Sequence, residues 1–482
     1  MTYQQSEEER DLWDQTTDRD DRKRAEAFGA LAEMKFCMGD YATSYTCALE
    51  SQEIYEKLDD SFGMAEGYYF EGRALRHQRK FGDSVEKLER AAQAFRANAN
   101  EYFLAAVLYD LAMSYKELRQ WALAKNAFAS AGDLFRANEK WLESADCYYQ
   151  AAGQLFQLGE FAQAEFYAHH SLDSYSNTRD FPDISRALKR LGDAYYFQFN
   201  LVEARDAYAR AAALLDYSPD EGWHGAVLLQ QAAVAERLGN IQDANTFLDR
   251  VRAMVENPEL TMMLAFADVI QARIMQRNGA YWPASQLLNR AVAALGVIKD
   301  EDWLIDARFE LAKCYFAMDE RQQAWEQLEK LMVEAKQMTT PPFSDEPWLM
   351  AGNLAHFLGN QIQALEILEE VRVDRLPSKD LIAELGVVRA RVYLVSDQYE
   401  TALRVVDETR NEQADFLTES QKFSLKETEG RALIDLGRTD DGLHVLKALL
   451  YEASLAGDLG LAQRTAQWIQ QAESRSFQDP TA

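Results

Sequence analysis

The side chains best placed to do chemistry are tyrosines and cations set four and seven residues apart. Tyr69, Arg73 and Arg76 stand at i, i+4 and i+7, a spacing that puts all three on one helix face. The same registers return about every forty residues: Tyr109 with Lys116, Tyr149, Lys189, Tyr196, Arg273 (with Arg277 one turn on), Lys313, Asn353 with His356, Arg391 and Arg431. Only Glu33, Asp193, Glu236 and Glu427 are acidic on these registers, in a chain with 51 Lys and Arg against 79 Asp and Glu. A basic, tyrosine-lined strip in an acidic protein suits an acidic or carboxylate-bearing peptide. Arginine binds carboxylates through two parallel hydrogen bonds, and tyrosine offers contact area at low entropic cost. The competing reading is structural: the cations pair with acidic residues of neighbouring units, and the tyrosines fill the core between them.

No second constellation suggests catalysis. His77, His169, His170, His224, His356 and His444 are scattered, and none is spaced with Cys, Asp or Glu as a metal ligand would be. His169 and His170 point about 100° apart on a helix and read as a surface pair. There is no glycine-rich phosphate loop and no Gly-x-Ser-x-Gly. The cluster Asp300-Glu301-Asp302 could be paired carboxylates, but it reads more simply as a helix cap with first-turn charges. Cys37, Cys47, Cys147 and Cys314 lack Cys-x-x-Cys spacing and read as buried, reduced thiols of a cytoplasmic protein. The expectation is a non-enzymatic protein without metal or cofactor.

The elements that position the strip are legible as a repeat. An aromatic or apolar turn position recurs at Tyr41, Phe81, Trp121, Phe161, Leu201, Ile241 and Tyr281, continues through Arg321 and Gln361, and after a two-residue deletion reaches Tyr399 and Thr439. Nine residues before each turn stand Ala32, Gly72, Ala112, Ala152, Gly192, Ala232, Ala272, Ala312, Gly352, Ala390 and Gly430. Three residues after it stand Ser44, Ser84, Ala124, Ala164, Ala204, Ala244, Ala284, Ala324, Ala364, Ala402 and Gly442. Two unbroken small columns mark where paired helices approach most closely. A fixed period of this length predicts a solenoid of eleven helical hairpins.

The first helices carry Leu-Ala/Gly-x-x-Tyr, as in Leu111-Ala112-x-x-Tyr115, Leu191-Gly192-x-x-Tyr195 and Leu311-Ala312-x-x-Tyr315. With the turn aromatic and the following small residues, residues 22–455 resemble the tetratricopeptide repeat. The period of 40 exceeds that family's usual ~34. It is similar to the longer-helix arrays of Pins-type and kinesin-light-chain-type scaffolds and of bacterial peptide-pheromone receptors. The resemblance implies an all-α, right-handed αα-superhelix whose first helices line a concave face that binds extended or helical peptides. The family's carboxylate clamp takes Lys and Asn four apart; Lys189 is followed at that spacing by Asp193.

The expected organisation is an acidic lead over 1–21, flexible or with one short helix from Ser6, then units one to eight over 22–338. A proline-rich break over 339–347 shortens the second helix of unit eight, and units nine to eleven fill 348–455. A capping helix with Trp468 over 456–474 and a tail over 475–482 complete the chain. Hydrophobic content of 48% suffices for a continuous inter-unit core. A net charge of −28 opposes wholesale contact with nucleic acid or anionic membrane. No signal peptide precedes the repeats, and no apolar run approaches the ~20 residues of a membrane span. The favoured function is a peptide- or protein-binding scaffold, with self-association an option. A peptide-sensing regulator of the pheromone-receptor type is the alternative, and a nucleic-acid-binding helical repeat is a second.

Overall fold

The computed structural model describes residues 6–178, 180–215, 221–254, 261–298, 300–337, 344–376 and 378–478, with no strand among them. A short helix, Glu7–Gln15, starts at Ser6, whose hydroxyl accepts from Glu9 N at 3.1 Å. Glu9 is buried against Lys35 of the next helix at 2.6 Å. Eleven hairpins follow, from Asp21–Cys37 with Tyr41–Lys57 to Glu419–Asp435 with Thr439–Leu455. The closing helix, Leu459–Gln478, lays Leu461, Trp468 and Ile469 against Leu446, Leu449 and Ala453 of the eleventh hairpin. The architecture is an all-α, tetratricopeptide-like solenoid. It divides into two compact units, Met1–Ala267 and Asp268–Ala482.

Within a hairpin the two small columns meet. The alanines of both are fully buried, and Ser44 and Ser84 donate to the carbonyls of Ala32 and Gly72 at 2.8 Å. In the eleventh hairpin the backbones themselves come close: a Cβ on Gly442 would lie 2.6 Å from the Gly430 carbonyl oxygen. The first unit's core contains Leu88, Phe95, Leu111 and Phe135 from successive helices, and the second unit's contains Trp325, Leu328, Leu354, Leu368 and Val388. First helices also pack on the first helices of neighbouring hairpins, as Ser61–His77 does on Glu101–Glu117 and Lys379–Val395 on Glu419–Asp435. One face of each unit is therefore built from first helices.

The links are uniform. In every hairpin the residue two before the turn position is left-handed, whether glycine (Gly39 and Gly159, for example) or not (Arg79, Arg119, Phe199, Asp319 and Asp397). The next amide then bonds back five residues, as Lys80 N does to Leu75 O at 2.9 Å, which closes the helix in a Schellman-type turn. Several first helices start from side-chain caps: Asp60 accepts from Gly63 N at 3.1 Å and Asp300 from Trp303 N at 3.2 Å. Asp300 is thus a cap.

Three expectations are corrected. Prolines do not shorten the second helix of the eighth hairpin, because Arg321–Gln337 runs its full 17 residues. The shortening falls on the ninth hairpin. There Pro347 sits at the start of a 12-residue helix, Glu346–Phe357, and the second helix, Gln361–Glu370, has 10 residues. Its early end is satisfied from outside, Arg389 donating to the carbonyls of Leu368 and Val371 at 2.6 and 3.2 Å. Most of the 339–347 break, the breaks at 217–220 and 256–258, and the last four residues of the tail lie outside the described residues. Secondly, Cys37 is exposed at a helix end, whereas Cys47, Cys147 and Cys314 are buried; burial pushes the Cys47 thiol up to about 11. Thirdly, His169 is exposed but His170 is half-buried.

Candidate functional site

In the first unit the cations of the strip are largely committed to one another's neighbours. Arg73 Nε lies 3.3 Å and Arg76 Nη2 2.9 Å from the buried carboxylate of Asp110, on the first helix of the next hairpin. The Arg73 guanidinium also covers Phe36 at 4.1 Å and Tyr69 at 5.1 Å. Tyr69 is itself buried, and burial holds its hydroxyl well above the usual phenol range, with Asp110 adding to the effect. Tyr109 sets its ring edge-on to Phe128 at 5.6 Å, and Lys116 Nζ donates to Gln150 Oε1 at 3.5 Å. Lys189 Nζ binds Asp193 at 2.9 Å, and Asp193 also accepts from the buried Tyr208 hydroxyl at 2.8 Å.

Two cations one residue off the predicted registers behave differently. The Arg190 guanidinium lies 4.4 Å from the Tyr149 ring centroid, and that of Arg237 lies 4.2 Å from Tyr196. Neither forms an ion pair with a carboxylate among the described residues, and Arg190 Nε is buried without a hydrogen-bond partner. The ring faces attract these charges without neutralising them. The sequence registers missed both because Lys189 and Glu236 occupy the neighbouring positions; the signal was a Tyr on one first helix and an Arg on the next.

The second unit shows both behaviours. Arg273 binds Asp306 and, at 3.1 Å, Glu310, which Lys313 also reaches at 2.8 Å. Burial pushes the Glu310 carboxyl up, but Lys313 and Arg273 together hold it below its ordinary value. Arg277 is exposed at its helix end. Asn353 Oδ1 accepts from Arg391 Nη2 at 3.3 Å. Near the end of this unit, first helices and the closing helix line a partly open pocket of ≈ 290 Å³ whose lining includes Arg391, Arg431, Arg464, Glu427, Asp458 and His356, with Leu394, Phe423 and Leu461 as apolar wall. Arg431 lies 3.6 Å from Glu427 and covers Trp468 at 4.1 Å. Asp458 is engaged as a cap, accepting from Leu461 N at 2.9 Å. Arg391 Nε is buried without a hydrogen-bond partner, and Arg464 has neither ion pair nor hydrogen bond among the described residues.

The predicted strip therefore resolves into local clusters: Tyr69, Arg73 and Arg76 around Asp110; Lys189 on Asp193; Arg273 and Lys313 around Glu310; Asn353 with Arg391. No group of three potential metal ligands occurs among the described residues. No helix of theirs is long and apolar enough to cross a membrane.

Neither a protein-family model nor a curated protein matches the chain. Solved structures do. The apo form of RapI superposes with a TM-score of 0.50 at 15% identity, covering 57% of this chain and 100% of RapI. The quorum sensor NprR from B. thuringiensis aligns with a TM-score of 0.48 at 15% identity over 68% of this chain and 91% of its own. Aspartyl phosphate phosphatase F from Bacillus subtilis gives 0.48 at 14% over 68% and 87%. At such identities the likeness to RapI speaks for the helical-repeat fold alone.

Proposed function

We propose that the chain is a non-enzymatic, cytoplasmic peptide-binding scaffold that takes an acidic peptide on the first-helix face. The observation that carries this reading is the pair Arg190 on Tyr149 and Arg237 on Tyr196. Each guanidinium is held by a ring face, so its N–H edge is left for an incoming carboxylate. Tyr69, Arg73, Arg76, Tyr109, Lys116 and Lys189 belong to the same face, where Asp110, Gln150 and Asp193 set their geometry and the rings supply contact area. Arg273, Arg277, Lys313 and Asn353 extend the proposed face on the second unit.

Selection from a displayed library of random dodecapeptides tests this. Acidic sequences should be enriched by the native chain and lost with Arg190→Gln/Arg237→Gln, at unchanged helicity and melting temperature. Removing one desolvated charge pair between peptide and protein costs roughly a few kcal/mol. No acidic enrichment, or equal capture by the variant, sinks the reading.

A further inference from the structure

Most cations described on the first helices already have carboxylate partners, so surplus positive charge is a local property. In the second unit it collects at the ≈ 290 Å³ pocket. Three arginines line it from three alternate helices: Arg391 on Lys379–Val395, Arg431 on Glu419–Asp435 and Arg464 on Leu459–Gln478. Two carboxylates face them, Glu427 beside Arg431 and Asp458 engaged as a helix cap; Glu427 and the half-buried Glu384 act on Arg391 through space, but neither hydrogen-bonds it. Arg391 has only an amide oxygen, that of Asn353, as its hydrogen-bond acceptor, and Arg464 has none among the described residues. Arg391 is half-buried and its buried Nε meets no acceptor, so it is short of a hydrogen-bonded anion, because buried charge is costly unless paired, and the exposed Arg464 beside it is uncommitted. The volume limits what can supply it: ≈ 290 Å³ is at the low end of the ~300–1,000 Å³ of small-molecule pockets, room for about two residues and not for a helix. The Leu394, Phe423 and Leu461 wall asks for an apolar group beside the charge.

We propose that this pocket is a carboxylate subsite, with Arg391 and Arg464 taking the two oxygens and Arg431 held aside by Glu427 and Trp468. The inference deepens the peptide reading and rests on it for the view that the carboxylate ends a peptide; a free aliphatic dicarboxylic acid offers the same chemistry.

Titration calorimetry on the full chain with three probes separates the sources: acetyl-Leu-Phe as free acid, its amide, and succinate. The free acid should bind at least tenfold more tightly than the amide, and Arg464→Gln, an exposed change that leaves the fold intact, should weaken it at least tenfold. If succinate displaces the free acid from the native chain, the site holds and a small dicarboxylic acid is a competent source; if it does not, the site holds as a peptide-end site. Acid and amide binding alike, no binding of either carboxylate at millimolar concentration, or full affinity in Arg464→Gln overturns the proposal. Because the library selection depends on Arg190 and Arg237, in the other unit, failure here and failure of the scaffold reading are told apart.

Discussion

Asp110 accepts both Arg73 and Arg76, so charge reversal at Arg73 would leave a buried carboxylate short of a partner as well as altering a binding face. Arg190 and Arg237 report on binding more cleanly, since no carboxylate among the described residues pairs with them. The candidate cations were legible from register, because i, i+4 and i+7 fix a helix face. Their partners were not, because an ion pair such as Arg273 with Glu310 spans 37 residues and its carboxylate stands off the registers that found the cation. A residue-scale pH effect also follows. His170 Nδ1 accepts from Arg136 Nη1 at 2.9 Å, which requires the neutral ring. Burial, then Arg136, pushes its pKa below the ordinary value of 6.5. A histidine whose folded pKa is depressed contributes stability that is present above the unfolded value and is lost as pH falls through it toward the folded pKa. Melting temperatures measured between about pH 7.5 and 5.5 should therefore fall less in His170→Gln, which keeps an acceptor for Arg136 but does not titrate, than in the native chain. An equal fall would remove His170 from the account.

At the scale of elements, the hairpins rest on backbone proximity. Ala232 and Ala312 are fully buried where paired helices meet, while Gln242 is exposed. Ala232→Leu or Ala312→Leu should cost about 1–3 kcal/mol by overpacking, against ~0.5 kcal/mol or less for Gln242→Leu. Urea midpoints in the reverse order would show that the columns had been misassigned. The eleven hairpins could be read in sequence because close packing admits only Ala, Gly or Ser at two fixed offsets. The link geometry was half-legible: glycines such as Gly159 and Gly239 announced left-handed residues, but Arg79, Arg119 and Phe199 adopt the same conformation without announcing it. That choice costs roughly 1–2 kcal/mol each and is imposed by the packing on either side. The prolines were misplaced because Pro347 opens a helix as readily as it ends one; at the first helical positions its missing N–H has no intrahelical acceptor to lose.

For the molecule as a whole, salt acts with opposite sign on stability, where it screens the net charge of −28, and on binding, where it screens the local positive charge of the proposed face. Self-repulsion opposes the compact state, and salt screens it. Raising NaCl from about 10 to 300 mM should therefore raise the melting temperature while it weakens capture of the acidic peptide, since the Debye length falls from ~30 Å toward a few ångström. Parallel changes in the two quantities would contradict the assignment of positive charge to the binding face. The uniform link has a last consequence, for how the chain can be edited. A residue gained or lost inside a helix turns everything after it by about 100°, yet each left-handed link starts the next helix afresh from a fixed backbone geometry. The chain bears this out at its own scar: two residues are missing between Gln361 and Tyr399 relative to the forty-residue step, the shortfall is absorbed around the shortened Gln361–Glu370, and Asp397 still takes the left-handed turn. Each link behaves as a punctuation mark, so insertions and deletions are confined to the hairpin in which they arise.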